Sequence, residues 1–76
     1  MTKFQYISEN FLTIKKEVKM GLISPTVLAH YAIYSRYDYY RKLGNYYKRS
    51  ILYIVDDFRI NKRTVYRIIK EMEEDI

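Results

Sequence analysis

The clearest pattern of apolar and polar positions lies near the C-terminal end of the chain, between residues 50 and 72. Apolar residues recur there at steps of three and four, which is the spacing of one helical face. The first stripe consists of Ile51, Ile54, Val55 and Phe58. The second consists of Val65, Ile68, Ile69 and Met72. The pattern predicts two short amphipathic helices, which must pack against each other and against the rest of the chain to be stable.

The few residues between the two stripes predict a tight turn. Ile60 is a lone apolar anchor, and Asn61 is a favourable N-cap because its side chain can accept a hydrogen bond from a free backbone N–H of the next helix. A tight turn forces a sharp angle between the helices, so we expect the second helix to protrude.

The predicted outer side of this second helix is strongly cationic. Its outward residues are Lys62, Arg63, Tyr66, Arg67 and Lys70, with Thr64 near the edge. An apolar inner side with a cationic outer side is typical of a helix that lies in the DNA major groove. There an arginine side chain can bond two acceptors on guanine, and threonine offers a hydroxyl and a methyl group. We therefore expect base contacts from Lys62, Arg63, Thr64 and Arg67, and a thymine-methyl or phosphate contact from Tyr66. The flanking cations suit the phosphate backbone: Lys48, Arg49, Arg59 and Lys70. A solvated helix face is the alternative.

The N-terminal half predicts further elements. Residues 3–8 alternate apolar and polar side chains, which is typical of a short strand. Ser8 would then cap a helix over residues 9–20 that Gly21 ends, with Leu22 and Ile23 entering the core. Ser24 and Pro25 predict the start of another helix.

That helix is expected to run from Thr26 to residue 41 or 43. One stripe of it would face inward: Leu28, Tyr31, Ala32 and Ser35. The small Ala32 and Ser35 would let another helix approach closely. Gly44 and Asn45 predict a turn.

Size and composition exclude several classes of protein. The chain has 76 residues, no cysteine and one histidine, which predicts one domain without a disulfide framework or a metal site. No run approaches the roughly 18 apolar residues of a membrane span, and no signal-peptide pattern is present, so we expect a cytoplasmic protein. We expect no enzyme activity and no cofactor, because the chain lacks a phosphate-binding glycine loop and a nucleophile with a plausible base. His30 is expected to be an ordinary packed or surface residue.

The net charge of +5 is unevenly distributed. Four of the nine acidic residues lie in the last six positions, so residues 1–70 carry 14 basic and 5 acidic side chains. Such a field attracts polyanions, although it can also serve only solubility. The acidic end has three possible roles: solubility, contact with a second subunit, or limiting non-specific DNA binding. Asp56 and Asp57 are expected to pair with Arg59 or Arg63.

Ten tyrosines form the other compositional signal. Four are expected to be buried or half-buried: Tyr6, Tyr31, Tyr34 and Tyr53. Five more lie among arginines and lysines and cannot all face inward: Tyr37, Tyr39, Tyr40, Tyr46 and Tyr47. This second group is consistent with base stacking, with a protein-binding patch, or with a second core layer.

Residues 61–69, Asn-Lys-Arg-Thr-Val-Tyr-Arg-Ile-Ile, resemble the recognition helices of winged-helix regulators and replication proteins, within the helix-turn-helix family. Val55 lies where that family has a modest residue at the crossing of the two helices, and Ile60 lies at the apolar anchor of its turn. Val65 and Ile68 lie at the two buried positions of its recognition helix. Where that family often has glycine, this chain has Arg59, which disfavours a left-handed turn and predicts a longer, looser one.

Residues 4–7 and the Ser24-Pro25 helix, with Tyr31, Tyr34 and Arg36, resemble the start of winged-helix domains in phage and plasmid replication proteins. The six residues after position 70 are too short and too acidic for a β-hairpin wing. Either the wing is absent or the chain is one piece of a larger protein. The expected fold is mostly α, a winged-helix-like domain of about four helices with a short N-terminal strand and no full wing, its helix-turn-helix spanning about residues 50–72.

The resemblance implies a sequence-specific protein for double-stranded DNA, a small transcriptional regulator of phage or plasmid type with its helix from Lys62 in the major groove. One helix contacts few base pairs, so a homodimer or several copies side by side are expected. Two alternatives remain: a DNA-replication initiation module, and a protein-interaction adaptor or inhibitor that uses the Tyr/Arg-rich surface of residues 36–49.

Overall fold

Five helices make up the computed structural model, which describes residues 1–76. Their bounds are α1 Lys3–Glu9, α2 Phe11–Lys19, α3 Thr26–Lys42, α4 Tyr47–Phe58 and α5 Lys62–Met72. The mostly α-helical class is confirmed, with one helix more than expected. None of the helices combines the length and the apolar character needed to cross a bilayer.

The predicted N-terminal strand is wrong, because this segment forms α1. Thr2 and Gln5 make a capping box: the Gln5 N–H donates to Thr2 Oγ1 at 3.1 Å, and the Thr2 N–H donates to Gln5 Oε1 at 2.7 Å. Phe4 and Ile7, one helical turn apart, both pack on the core. Ser8 therefore lies within α1 and does not cap α2, which follows Asn10.

The connection between α2 and α3 follows the sequence prediction in part. Gly21 adopts a φ of 78° just after α2, and the Ser24 Oγ accepts from the Thr26 N–H at 3.3 Å where α3 starts. Leu22, however, is exposed rather than buried, and Ile23 is half-buried.

The inward face of helix α3 matches the predicted stripe only in part. Leu28 and Tyr31 are half-buried and pack against the core, but Ala32 is exposed and Ser35 is only half-buried. The buried residues of the helix are Ile33, Tyr34 and Tyr37. Apolar and aromatic residues surround this helix on most sides, so periodicity alone does not select one stripe. The face that packs on α4 and α5 is the one that is buried.

The α4–α5 pair carries most of the core. Its fully covered aliphatic residues are Ile51, Ile54, Val65, Ile68, Ile69 and Met72, each at most 2% exposed. The second predicted stripe is therefore confirmed throughout, while in the first Val55 is half-buried and Phe58 is 36% exposed. Asn61 caps α5 as expected, because its Oδ1 accepts from the Thr64 N–H at 2.8 Å.

The turn between α4 and α5 is shorter than the longer, looser turn that Arg59 predicted. Only three residues separate α4 from α5, and Arg59 adopts the left-handed conformation with φ 53° and ψ 45°. The short connection needs this reversal, and the partly buried Ile60 packs on the core immediately after it. The turn is therefore short, and the non-glycine residue carries the strain.

The residues after α5 pair with the N-terminus and do not form a wing. The Lys3 N–H donates to the Glu74 carbonyl at 2.8 Å, and the Ile76 N–H donates to the Met1 carbonyl at 2.9 Å. A single isolated antiparallel bridge joins Thr2 to Asp75.

The acidic side chains of this end have internal partners. Glu71 lies 3.4 Å from Lys3 Nζ and 3.5 Å from His30 Nδ1, and the Tyr34 hydroxyl donates to Glu73 at 2.9 Å. Asp75 pairs with the N-terminal amine at 3.2 Å. The acidic end thus holds α1 and α3 against the end of α5, a role that the sequence did not indicate.

Candidate nucleic-acid interface

Helix α5 presents the predicted cationic face to solvent. Lys62, Arg63, Arg67 and Lys70 are exposed, and Thr64 and Tyr66 are half-buried at its edge. The opposite face is held by aliphatic residues that are at most 2% exposed, so the helix cannot rotate without exposing the core. Asn61 fixes its first turn. The side chains proposed for base contact therefore share one accessible face of a firmly anchored helix.

Tyr66 lies at the centre of a small aromatic and cationic contact. Lys62 Nζ is 6.0 Å from the centroid of its ring, and the Tyr47 ring is 5.9 Å away. Tyr47 is the first residue of α4, so this contact places the start of α4 beside the middle of α5. The exposed Lys48 and Arg49, two of the predicted phosphate-binding residues, follow Tyr47 directly in the first turn of α4.

Arg59 occupies the turn before α5 and is also exposed. The nine candidate residues thus fall on three adjoining segments: the first turn of α4, the turn at Arg59, and the outer face of α5. Tyr47 adjoins this surface; the sequence placed it only in the tyrosine group for which base stacking, a protein-binding patch and a second core layer were all open. Its role depends on a contact across the chain with Tyr66, for which local spacing gives no signal.

The cations of this surface have no acidic partners. Lys3 and Lys42 are the only lysine or arginine residues in an ion pair, and both lie outside it. The expected pairing of Asp56 and Asp57 with Arg59 or Arg63 is wrong, because Asp57 accepts a hydrogen bond from the Tyr40 hydroxyl and Asp56 makes no ion pair. No carboxylate therefore lies in ion-pair contact with the cations of this surface.

The tyrosine cluster divides by burial. Tyr37 is 5% exposed and belongs to the core with Tyr34, whereas Tyr39, Tyr46 and Tyr47 are exposed. Tyr6 and Tyr53, expected to be covered, are 47% and 37% exposed.

Seven rings form a continuous network of pairs from α2 to α5, with centroid separations from 4.6 to 6.1 Å. Its members are Phe11, Tyr31, Phe4, Tyr34, Tyr37, Tyr47 and Tyr66. Within the second tyrosine group the core-layer interpretation is confirmed for the buried Tyr37, and it is wrong for the exposed Tyr39, Tyr46 and Tyr47.

The hydroxyl groups of these tyrosines are held in the neutral form. Burial, together with the hydrogen bond to Glu73, raises the pKa of Tyr34, and burial raises that of Tyr37 against the opposing effect of Arg41. The hydrogen bond to Asp57 raises the pKa of Tyr40, and partial burial raises that of Tyr47.

Comparison with protein-family models, with curated proteins and with solved structures finds no match to this chain. The chain itself shows a small, mostly helical fold in which a well-anchored helix pair carries an accessible face of unpaired cations. Its function has to be inferred from the residues on that face.

Proposed function

We propose that this chain is a sequence-specific protein for double-stranded DNA, a small transcriptional regulator that inserts α5 into the major groove. In this proposal α4, the turn at Arg59 and α5 form a helix-turn-helix within a winged-helix-like domain that lacks a wing. The observation that carries it is the outer face of α5, where four exposed cations lie without an ion-pair partner on a helix whose other face is closed into the core.

The division of contacts follows from position. Lys62, Arg63 and Thr64 lie in the first turn of α5 and Arg67 one turn later, so all four can face base edges when the start of the helix enters the groove. Tyr66 lies at the side of this face, close enough for a thymine methyl or a sugar-phosphate contact. The surrounding cations bind phosphates and set the position of α5 along the duplex: Lys48, Arg49, Arg59 and Lys70.

One such helix discriminates poorly alone. A good bidentate contact contributes about 1–3 kcal/mol of discrimination against the wrong base, and a helix of 11 residues offers few of them. A homodimer on a two-fold site, or several copies side by side, raises the number of base pairs contacted.

The direct test is selection of bound sequences from a random double-stranded pool, followed by affinity measurements at fixed salt. The double variant Arg63→Ala/Arg67→Ala is expected to lose at least about 2 kcal/mol on the selected site and to lose the sequence preference, because it removes both bidentate donors. Lys15→Ala/Lys16→Ala is the matched control, since it removes the same charge from the exposed side of α2.

The control pair should keep the selected sequence and most of the affinity. Equal losses for the two pairs, or a pool that yields no preferred sequence, would refute the placement of α5 in the groove. Circular dichroism and unfolding midpoints of both pairs establish that the fold is intact.

A further inference from the structure

A surface groove of about 540 Å³ runs along the outer side of α3. It is lined by Leu28, Ala32 and Ser35 of α3 together with Phe11 of α2 and Phe58 of α4. No residue of α5 lines it, and none of the nine candidate DNA contacts does so. The groove is therefore a separate surface from the cationic face.

The lining includes all four residues of the α3 stripe that the sequence predicted to be buried. In the folded chain Leu28 and Tyr31 are half-buried against the core, whereas Ser35 is half-buried and Ala32 is exposed. The stripe is thus only partly covered, and Ala32 and Ser35 remain accessible. Small residues about one helical turn apart permit the backbone of another helix to come close. Such an apolar groove suits an α-helix whose apolar side chains enter it.

The charge of the lining favours an acidic protein partner over a second copy of this chain as the molecule that binds in the groove. Arg36 is the only charged residue in the lining, it makes no ion pair, and its guanidinium lies 5.9 Å from the centroid of the Tyr39 ring. The ring holds this cation at the edge of the groove, where it is available to a carboxylate.

A second copy of the chain is a poor occupant. A two-fold contact through this face would bring the Arg36 side chains of both copies into the same interface with no lining acid to pair them. Like charges opposed across an interface destabilise it, so the complementary partner is acidic.

We propose that this groove binds an amphipathic helix of a protein partner, which places apolar residues over Leu28 and Ala32 and a carboxylate on Arg36. The proposal does not depend on the DNA-binding function, because it uses a different surface. If both hold, the partner helix and the duplex can occupy the chain together, and the chain joins a DNA site to a second protein.

The test is a display library of helical peptides with one randomised face, selected on the wild-type chain and counter-selected on Ala32→Trp. The tryptophan fills the open groove from an exposed position, so the fold is expected to persist. The expected clones carry apolar residues at helical spacing together with Asp or Glu. Their affinity should fall at least about tenfold on Ala32→Trp, as for a central interface residue.

Arg36→Glu is the second variant, and it tests the charge without altering the groove. It should weaken the acidic peptides, and peptides with Lys in place of the acid should recover the lost affinity on this variant. Arg41→Glu is the matched control, because it makes the same charge reversal at an exposed arginine of α3 that lies outside the lining and makes no ion pair.

Three results would overturn the proposal. The first is that no selected peptide binds wild type more tightly than Ala32→Trp. The second is that the selected peptides are not enriched in Asp or Glu, or that Arg36→Glu does not weaken their binding. The third is that sedimentation shows a wild-type dimer that Ala32→Trp converts to monomer. The last result would assign the groove to a second copy.

Discussion

Arg59 combines two roles with opposite demands. It bears a positive φ of 53° in the connection between α4 and α5, which costs a non-glycine residue about 1–2 kcal/mol. It also places a cation beside the candidate recognition helix. Glycine is the residue that the local backbone favours, and arginine is the residue that a phosphate favours.

Arg59→Gly is therefore expected to raise the free energy of unfolding by about 0.5–1 kcal/mol and to weaken DNA binding at the same time. The gain is smaller than the strain because glycine also gains freedom in the unfolded chain. Urea unfolding and binding anisotropy measure the two effects. Arg59→Ala is the control, since it keeps the Cβ atom and the strain but loses the charge. If alanine stabilises as much as glycine, backbone strain is not the reason.

Ser50 is a second residue at odds with its surroundings. It is fully buried on α4, and its hydroxyl makes no hydrogen bond. Ser50→Ala is expected to stabilise the chain by about 1 kcal/mol, because it removes an unsatisfied buried group and improves helix propensity. Ser35→Ala, the same change at a half-buried helical position, should gain only the propensity part. Equal gains in thermal unfolding would mean that burial of the Ser50 hydroxyl carries no cost.

At the scale of elements, the sequence predicted best where local chemistry and packing agree. The second stripe of the α4–α5 pair, the Asn61 cap and the Ser24-Pro25 start are confirmed, because each depends on spacing or on a cap within a few residues. The N-terminal segment was misassigned because its alternation competes with a capping box. The inward face of α3 was predicted only in part, because apolar residues occupy most of its sides.

The C-terminal contacts could not be predicted for a different reason. Glu71 and Glu73 contact residues more than 35 positions away in the sequence, at Lys3, His30 and Tyr34. Long-range pairs of this kind leave no periodic signal. The candidate DNA-contacting side chains lie where the sequence placed them, but Tyr47 joins them only through the folded chain. Whether they bind DNA remains a prediction from residue chemistry.

The contact of Tyr34 with Glu73 joins α3 to the end of α5 and makes stability dependent on alkaline pH. Burial and the nearby carboxylate raise the pKa of Tyr34 above its ordinary value of 10.0, so the folded chain retains the phenol proton more firmly than the unfolded chain. The stabilisation is complete below pH 10.0 and is lost as the pH rises towards the folded pKa.

Tyr34→Phe should therefore lower stability by about 1 kcal/mol at neutral pH, through the lost hydrogen bond, and make the alkaline decline shallower. Chemical unfolding at a series of pH values, with tyrosinate absorbance, follows both effects. Tyr46→Phe, at a ring that is 83% exposed, should leave the profile as in the wild type. An unchanged alkaline slope in Tyr34→Phe would show that this contact does not contribute to it.

At the scale of the whole molecule, the paired acids and the candidate DNA surface lie on different parts of the fold. The acids near the C-terminus are paired with the N-terminus, His30 and Tyr34, on the side formed by α1 and α3. Seven of the twelve lysine and arginine residues without an ion pair lie on α5, its preceding turn and the start of α4. The groove on α3 lies outside this surface.

Salt dependence distinguishes such a surface from a diffuse basic coat. Each phosphate neutralised by a bound cation contributes about −0.9 to the slope of log K against log salt. Four phosphate-directed cations per chain therefore predict a slope of about −3 to −4 for each bound copy. Lys70→Ala should reduce its magnitude by about 1 and weaken all sequences alike. Lys19→Ala is the control, because it removes a lysine from an exposed position on α2, and it should leave the slope unchanged. If the two variants reduce the slope equally, the bound phosphates do not lie along α5.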